Sequence, residues 1–365
     1  MKDPVRTLLE QYGAFDPQSQ SHWVLLILTD SILLLLLLTM LFALFAIVLR
    51  LQYNRHQRYW ATLHRKWDTD VLDVLSGDQN PNDFRMLVER GQELDFVRFL
   101  APYAYRLRGS DLAILAQLAQ KYLPFVVPKL EHKSPGVRVW ATNVLSLFGM
   151  PAQEETIARM LSDKSPAVAM FAASTLLSHQ RLQFIDPILN QFHRFEKWNI
   201  SALANLLVSI GPSAVPMLEQ VYLDTSRPVR TRVVVAEALS RCNAYSAVNA
   251  ALLVLGSEDD QDILIATLRL IGNICQGRHL ESVKALCSSR VDVLRINAMR
   301  TLRQIGMQED LPVFLAAMND SNPWVVRHAA LALCDLGGRA SLQAIADDEQ
   351  HTRSALARQI LAETK

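Results

Sequence analysis

Cysteine and glycine are sparse in this chain, and basic residues outnumber acidic ones by only one. The 365 residues contain four cysteines and no CxxC pair, so neither a disulfide scaffold nor a zinc module is expected, and reduced thiols fit a cytosolic setting. The 13 glycines form no phosphate-cradling loop and no nucleophile elbow. Lys plus Arg number 37 against 36 Asp plus Glu, a balance that argues against a dedicated nucleic-acid binder.

Four features resemble catalytic or metal-binding residues, but each has a structural interpretation. His179 occupies a helix position where other segments carry apolar residues, which favours a packed or loop-edge histidine. Cys242 and Cys275 fit as small core residues. The segment HRFE at 193–196 has no second ligand set at metal spacing, and GSEDDQD at 256–262 lacks the alternation of a calcium loop. We therefore predict no catalytic, cofactor-binding or metal-binding residue.

A long apolar run lies near the N-terminus. Residues 32–49, ILLLLLLTMLFALFAIVL, carry no charge, and with residues 23–28 the apolar region reaches about the 20 residues that span a bilayer. A cleaved signal peptide is the alternative, but it needs a shorter apolar stretch and a small-residue cleavage site. We therefore predict one transmembrane helix over residues 23–50, preceded by a short outer tail, 1–22.

Basic residues are unevenly distributed around this predicted span. Lys2 and Arg6 precede it, whereas five basic residues follow it within 17 positions: Arg50, Arg55, Arg58, Arg65 and Lys66. The positive-inside rule then predicts that the N-terminus lies outside and the C-terminal part in the cytoplasm. Residues 51–67 mix aromatic and basic side chains. They are interpreted either as an amphipathic helix at the membrane surface or as a plain continuation of the span.

Three residues of the predicted span are candidate partner contacts. Asp30 is a carboxylate inside an apolar region, where it either has a partner or marks the wet outer edge of the span. Thr39 and Ala43 are small residues on one helix side that would let another helix approach closely. Asp30, Thr39 and Ala43 are accordingly predicted to contact a partner that is itself a membrane protein.

One amphipathic helix pattern is repeated seven times in the rest of the chain. Each copy has a leucine or isoleucine at position 8, counting the first apolar position as 0, and most have alanine at position 4 or 5. A preceding apolar helix and a turn such as HKSPG or DKSPA accompany the copies, so each unit reads as a helical hairpin. Position 0 recurs every 31 or 32 residues, at Val137, Val168, Asn199, Thr231, Ile263, Leu294 and Val325.

The unit PGVRVWATNVLSLFG resembles HEAT repeats, and its short period is similar to the bacterial type related to phycobilin-lyase repeats. The resemblance covers about residues 123–337. It implies an all-α fold, a right-handed α-solenoid of stacked hairpins preceded by the transmembrane helix. It also implies a ladder of polar contacts from an arginine at position 1, which Arg138, Arg232 and Arg295 match; Ala169, Ile200 and Leu264 do not match it.

The remaining segments complete the expected domain organisation. Residues 68–122 are amphipathic but irregular, and are predicted to cap the N-terminal end of the array. Residues 338–365 read as a last hairpin with a polar outer face.

Position 6 of the repeated helix should form an exposed ridge. It changes from neutral to basic along the array, and Arg269, Arg300 and Arg303 concentrate charge on a nearly neutral protein. The ridge is interpreted either as a solvated face or as a groove for an acidic partner. On the second interpretation these three arginines are the partner-binding residues.

Because HEAT repeats are mostly non-catalytic, the resemblance implies a scaffold. We expect a single-pass adaptor in a bacterial inner membrane that holds a protein partner, for instance in a glycosyltransferase complex making an exported polysaccharide, with no cofactor, no small-molecule substrate and no nucleic acid. Two alternatives are a bilin-lyase-type enzyme and a nucleic-acid-binding HEAT protein. Neither fits as well, since a soluble lyase needs no span and the residues from Leu51 onward carry 34 basic against 32 acidic side chains.

Overall fold

The computed structural model describes residues 17–80, 88–275 and 281–364, and for residues 17–27 the helix backbone alone. Most of the predicted outer tail, 1–22, lies outside the described residues, as do residues 81–87 of the predicted N-terminal cap. The described residues contain helices, turns and bends, and no strand. The chain divides into two compact units, 1–92 with 107–114 and 93–106 with 115–365.

The first unit is dominated by one helix, α1, which runs without interruption over Pro17–Ser76. Its described part Leu28–Ser76 contains an 18-residue window with a mean hydropathy of 3.2, and none of that window is buried. Of the two interpretations of residues 51–67, the backbone agrees with a continuation of α1. The physical reason is that residues 50–67 contain neither proline nor glycine to end the helix.

The second unit consists of helical hairpins in chain order, preceded by α2 (Glu93–Ala104) and by the later part of α3 (Gly109–Gln120). Residues 109–114 of α3 belong to the first unit. The second helices of the hairpins contact one another in sequence. They are α5 (Pro135–Gly149), α7 (Pro166–Ser178), α9 (Ile200–Val208), α11 (Val229–Arg241), α13 (Gln261–Ile274), α15 (Asp292–Ile305) and α17 (Pro323–Asp335).

The first helices are shorter, and several begin or end in a turn of 3₁₀ helix. They are α4 (Leu123–Val126), α6 (Glu154–Arg159), α8 (Ile185–Leu189), α10 (Val215–Leu223), α12 (Val248–Ser257), α14 (Glu281–Cys287) and α16 (Leu311–Ala317). A last hairpin, α18 (Arg339–Asp347) and α19 (Ser354–Glu363), follows α17 within the segment predicted as the C-terminal cap.

The turn residues start the second helices as their chemistry requires. Pro135, Pro166 and Pro323 occupy the first turn of their helices, where the missing N–H removes no hydrogen bond. Asp260 caps α13 by accepting hydrogen bonds from the amides of Asp262 and Ile263, at 3.0 and 3.1 Å.

Side chains of the repeated pattern form the core. The residue at position 8 is fully buried in all seven units, and burial of each such side chain stabilises the fold by roughly 1.5–3 kcal/mol. The alanines at positions 4 and 5 are also buried, which lets neighbouring second helices approach closely: Ala141, Ala172, Ala173, Ala204, Ala236, Ala298, Ala329 and Ala330. The 31–32-residue period is therefore the period of the hairpins.

Glycine at position 12 ends helices in two different ways. Gly211 and Gly337 have φ of 92° and 89°, the left-handed conformation that glycine adopts most readily. Gly306 instead has φ of −72°, and a Cβ at that position would collide with the carbonyl oxygen of Leu302. Glycine is thus required at 306 by close backbone approach and not by its φ.

Candidate partner-binding groove

A groove crosses three successive second helices, α11, α13 and α15, on the ridge predicted from position 6. It encloses about 310 Å³ and is lined by polar side chains. Arg269 from α13 and Arg300 from α15 are its exposed basic residues, and Glu237 from α11 is its acidic one. The repeat places these three side chains on one face because position 6 lies opposite the buried positions 4 and 8.

Arg269 and Arg300 have no ion pair or hydrogen bond with any residue that the structure describes. Arg241, at the other end of the groove, is fully engaged by contrast. It pairs with Glu237 at 2.8 Å and donates to the carbonyl and hydroxyl oxygens of Ser201 at 3.1 and 2.8 Å. The positive charge that remains uncompensated within the groove therefore belongs to Arg269 and Arg300.

Arg303 differs from the other two arginines of the predicted site. Its Nε donates to the carboxylate of Asp335 at 2.5 Å, so its charge is balanced across the α15–α17 contact, and its side chain is only 30% exposed. Arg303 thus braces two neighbouring repeats. Arg269, Arg300 and Arg303 all stay predicted partner contacts, and Arg269 and Arg300 are the two without an ion pair among the described residues.

His328, which the sequence did not single out, lies on α17 beside the basic ridge. Burial lowers its pKa, and the charges of Arg303, Arg300 and Arg327 lower it further. Its Nδ1 atom is buried and has no hydrogen-bond partner among the described residues. His328 therefore reports the positive potential at this end of the groove.

The residues predicted on the membrane helix do not form a single surface. Thr39 donates its hydroxyl to the Leu36 carbonyl of the same helix at 2.8 Å, and Ala43 lies about one turn further along that side. Asp30 is nine residues before Thr39, which places it about 180° away around a continuous helix. The grouping of Asp30 with Thr39 and Ala43 is corrected accordingly, and whether any of them contacts a partner stays a prediction.

The arginines of position 1 form the polar ladder that the repeat pattern implies. Each pairs with a carboxylate in the turn of the following repeat: Arg138 with Asp163 at 2.7 Å, Arg232 with Glu258 at 2.6 Å and Arg295 with Asp320 at 2.8 Å. The sequence analysis did not identify these acidic partners. Their spacing, 25 or 26 residues after each arginine, is the signal that would have found them.

The ladder carboxylates are held ionised. Burial pushes the pKa of Asp163 upward, but hydrogen bonds from Arg138 and the Ser165 amide outweigh burial, and the pKa lies below its usual value. Asp320 behaves in the same way, with Arg295 and the Asn322 amide as its donors.

Where position 1 is not arginine, another arginine supplies part of the contact. Arg194 donates to the Leu161 carbonyl at 2.9 Å and to the Asp163 carbonyl, and Arg353 donates to the Asp320 carbonyl at 2.7 Å. The ladder is therefore irregular in sequence but continues at these turns.

The residues that resemble a catalytic or metal site make ordinary structural contacts in the fold. Glu258 and Asp260 of the acidic segment serve the ladder and a helix cap. His179 is an exposed residue at the end of α7, with its Nε2 atom 3.3 Å from the Ser146 hydroxyl. No group of three or more His, Cys, Asp or Glu side chains suited to a metal ion occurs among the described residues.

Comparison with known families identifies the repeats in the C-terminal third of the chain. The family model described as HEAT repeats matches residues 248–334 and again 280–362. The HEAT match includes two of the three groove helices, α13 and α15, and the last hairpin. A search of curated proteins finds no match to the chain.

Solved structures with similar folds include a karyopherin and an engineered protein. The crystal structure of Kap121p has a TM-score of 0.46 and 13% identity, covering 76% of this chain and 38% of Kap121p. Kap121p bound to RanGTP has a TM-score of 0.47 and 14% identity, covering 83% of this chain and 39% of Kap121p. An engineered protein has a TM-score of 0.31 and 15% identity, covering 59% of this chain and 96% of the engineered protein. This chain thus spans less than two fifths of the length of Kap121p.

Proposed function

We propose that this protein is a non-catalytic, membrane-anchored HEAT scaffold whose second-helix groove holds an acidic segment of a partner protein. The observation that carries the proposal is the pair of exposed arginines, Arg269 and Arg300, without an acidic partner in the described residues. An unpaired charge on a surface of near-zero net charge attracts and orients a segment of opposite charge. Extended surfaces of this kind are how solenoid proteins bind partners.

The anchor in this proposal is the apolar part of α1. Among the described residues one helix is long and apolar enough to cross a membrane, or up to two if the bent pair Ile200–Val208 and Pro212–Leu223 counts as one span. That pair is bent by 101° and buries Leu203, Leu207 and Leu218 in the protein core, which favours an interior role. The run around residues 32–49 is exposed on all sides and suits a lipid environment.

The anchor would place the array in the cytoplasm of a bacterial cell, with the N-terminus outside, because the basic residues follow the span. A reporter that is active only in the cytoplasm should be active when fused after Lys365 and silent when fused at the N-terminus. The reverse result contradicts this topology. The proposal includes a partner that belongs to a complex making an exported polysaccharide.

The groove is tested by site-specific cross-linking in the native membrane. A photoreactive amino acid at Asn297, which lines the groove between Arg269 and Arg300, should cross-link to a partner whose trapped peptide is rich in Asp and Glu. The double substitution Arg269→Glu with Arg300→Glu should abolish that cross-link. The matched control, Arg106→Glu with Arg290→Glu, changes two other exposed arginines and should leave it intact. Equal cross-linking in both variants contradicts the groove as the binding surface.

A further inference from the structure

The helix α1 extends well beyond its apolar run before any of its side chains enters the protein core. Residues 50–59 are all exposed, and the buried stripe begins at Leu63 and continues at Trp67, Val71 and Val74. A single bare helix of about 20 Å therefore follows Leu49, at a rise of about 1.5 Å per residue. This segment has no function in the groove.

Three arginines of the bare segment share one side of the helix. At about 100° per residue, Arg50, Arg55 and Arg58 fall within an arc of about 140°. The buried stripe lies on the opposite side, since Leu63 and Trp67 are about 220° and 260° around from Arg50. The side of the helix that carries the three arginines is exposed among the described residues.

These arginines also lack acidic partners. Residues 50–67 contain no Asp or Glu, and none of Arg50, Arg55 and Arg58 forms an ion pair with a described residue. Two basic groups slightly further along are compensated, because Lys66 pairs with Glu89 at 2.7 Å and His64 lies 3.5 Å from Asp68. Arg65 forms no ion pair with a described residue either, so Arg50, Arg55 and Arg58 are the uncompensated arginines nearest the apolar run.

We propose that Arg50, Arg55 and Arg58 form a binding site for the phosphate groups of anionic lipids. The inference rests on the membrane anchor proposed above. If residues 32–49 span the hydrocarbon layer, Arg50 enters the headgroup layer, which is roughly 5–8 Å thick on each side of the hydrocarbon core. Arg55 and Arg58 follow at about 9 and 14 Å along the helix, and their long side chains reach back towards the phosphates.

Charge complementarity and continuity with the span both favour lipid as the occupant. Basic side chains immediately next to a transmembrane helix attract anionic lipids, and the attraction falls off within about 10 Å at moderate salt. Arg65 lies on the same helix side but about 24 Å beyond Leu49, so it should not contribute. That graded dependence on height distinguishes a lipid site from the acidic segment of a protein, which could bind at any height.

The test uses the full-length protein in vesicles of phosphatidylcholine with a minority of phosphatidylglycerol. Discs excised around the protein with a styrene–maleic acid polymer are analysed for their lipids by mass spectrometry. The wild type should enrich phosphatidylglycerol about twofold over the bulk bilayer. The triple variant Arg50→Gln, Arg55→Gln, Arg58→Gln should return the ratio to that of the bulk, and Arg65→Gln should keep the enrichment.

A second triple variant controls for net charge. Arg90→Gln, Arg106→Gln and Arg290→Gln remove three exposed arginines elsewhere and should leave the enrichment unchanged. If the wild type is embedded in the vesicles but its discs have the lipid composition of the bulk bilayer, the lipid site is contradicted and the anchor is not. Enrichment that survives the first triple variant also overturns it. Recovery of the wild type in the aqueous fraction contradicts the anchor and the lipid site together.

Discussion

Arginine serves two different purposes at two regions of the array. On the edge formed by the turns, Arg138, Arg232 and Arg295 are buried or nearly so and pair with carboxylates of the next repeat. On the ridge of second helices, Arg269 and Arg300 are exposed and have no acidic partner among the described residues. All five occupy fixed positions of the same repeated helix.

The difference shows that position within the repeat determines the role of a charged residue. Position 1 faces the following turn, where an acidic residue recurs, and its guanidinium also donates to backbone carbonyls that precede its own helix. Arg138, for example, donates to the carbonyls of His132 and Lys133 at 2.9 and 3.2 Å. Position 6 faces solvent, where an isolated charge contributes little to stability and is available to another molecule.

The largest expected effect is the loss of a ladder arginine. The Arg138 side chain is 3% exposed and its partner Asp163 is 7% exposed. Arg138→Ala leaves that carboxylate buried without its cation, so the free energy of unfolding should fall by about 3–5 kcal/mol. Arg269→Ala, at the exposed ridge, should change it by less than about 0.5 kcal/mol.

Urea denaturation in mild detergent, followed by circular dichroism, measures both variants, and hydrogen exchange resolves whether only the affected hairpins unfold. Equal free energies of unfolding for Arg138→Ala and Arg269→Ala would contradict the structural role of the ladder arginines.

The second effect is on binding and concerns the ridge alone. A fluorescent glutamate-rich peptide serves as the probe, and Arg269→Gln with Arg300→Gln should weaken its affinity about tenfold, equivalent to about 1.4 kcal/mol. Fluorescence anisotropy gives the dissociation constants, which should rise with salt in the wild type. Arg303→Gln should have the smaller effect because Asp335 already balances that charge. A tenfold loss of affinity in Arg303→Gln would show that Arg303 contributes to binding as much as the other two arginines.

Repetition made the fold predictable from the sequence. A single amphipathic helix has many possible partners, but seven copies at one period leave stacked hairpins as the way to bury the shared apolar face. The buried alanines at positions 4 and 5 and the leucines at position 8 confirm that argument residue by residue. The continuous helix α1 was predictable only in part, because the domain division placed a boundary at Arg50 although no helix-breaking residue stands there.

The site was predictable to the level of the ridge. Position 6 identified Arg269 and Arg300 as exposed, and the structure confirms their exposure. Arg303 could not be sorted from them in sequence, since its pairing depends on Asp335, which is 32 residues away and brought close by the stacking of α15 and α17. His328 was missed for the same reason, because its environment is made by charges on two different helices.

A smaller effect is the acid sensitivity of the ladder. The pKa of Asp163 and that of Asp320 are lowered in the folded state, so these groups contribute stability above their unfolded pKa, near 3.8, and that contribution is lost as the pH falls through the folded pKa. The urea midpoint should therefore fall steeply below about pH 4. Asp163→Asn should start lower and show a shallower acid limb, whereas Arg269→Gln should follow the wild type. An acid limb of unchanged slope in Asp163→Asn contradicts the ladder as its cause.

The smallest effect is a change in the pKa of His328, and it measures how far the ridge charges act. Burial is the main cause of the lowered pKa, and Arg303, Arg300 and Arg327 add to it, so His328 is neutral at pH 7. Because the folded pKa lies below the unfolded one, His328 costs stability as the pH falls below about 6.5. Removing one of those charges with Arg300→Gln should raise the pKa, whereas Arg290→Gln, an exposed residue not among the causes, should not. Nuclear magnetic resonance of ¹³C-labelled histidine follows the titration, with His328→Gln assigning the signal.

Saturating acidic peptide should also raise the pKa of His328 if it neutralises Arg300. A pKa that is the same with and without the peptide would mean that the peptide binds away from this end of the groove.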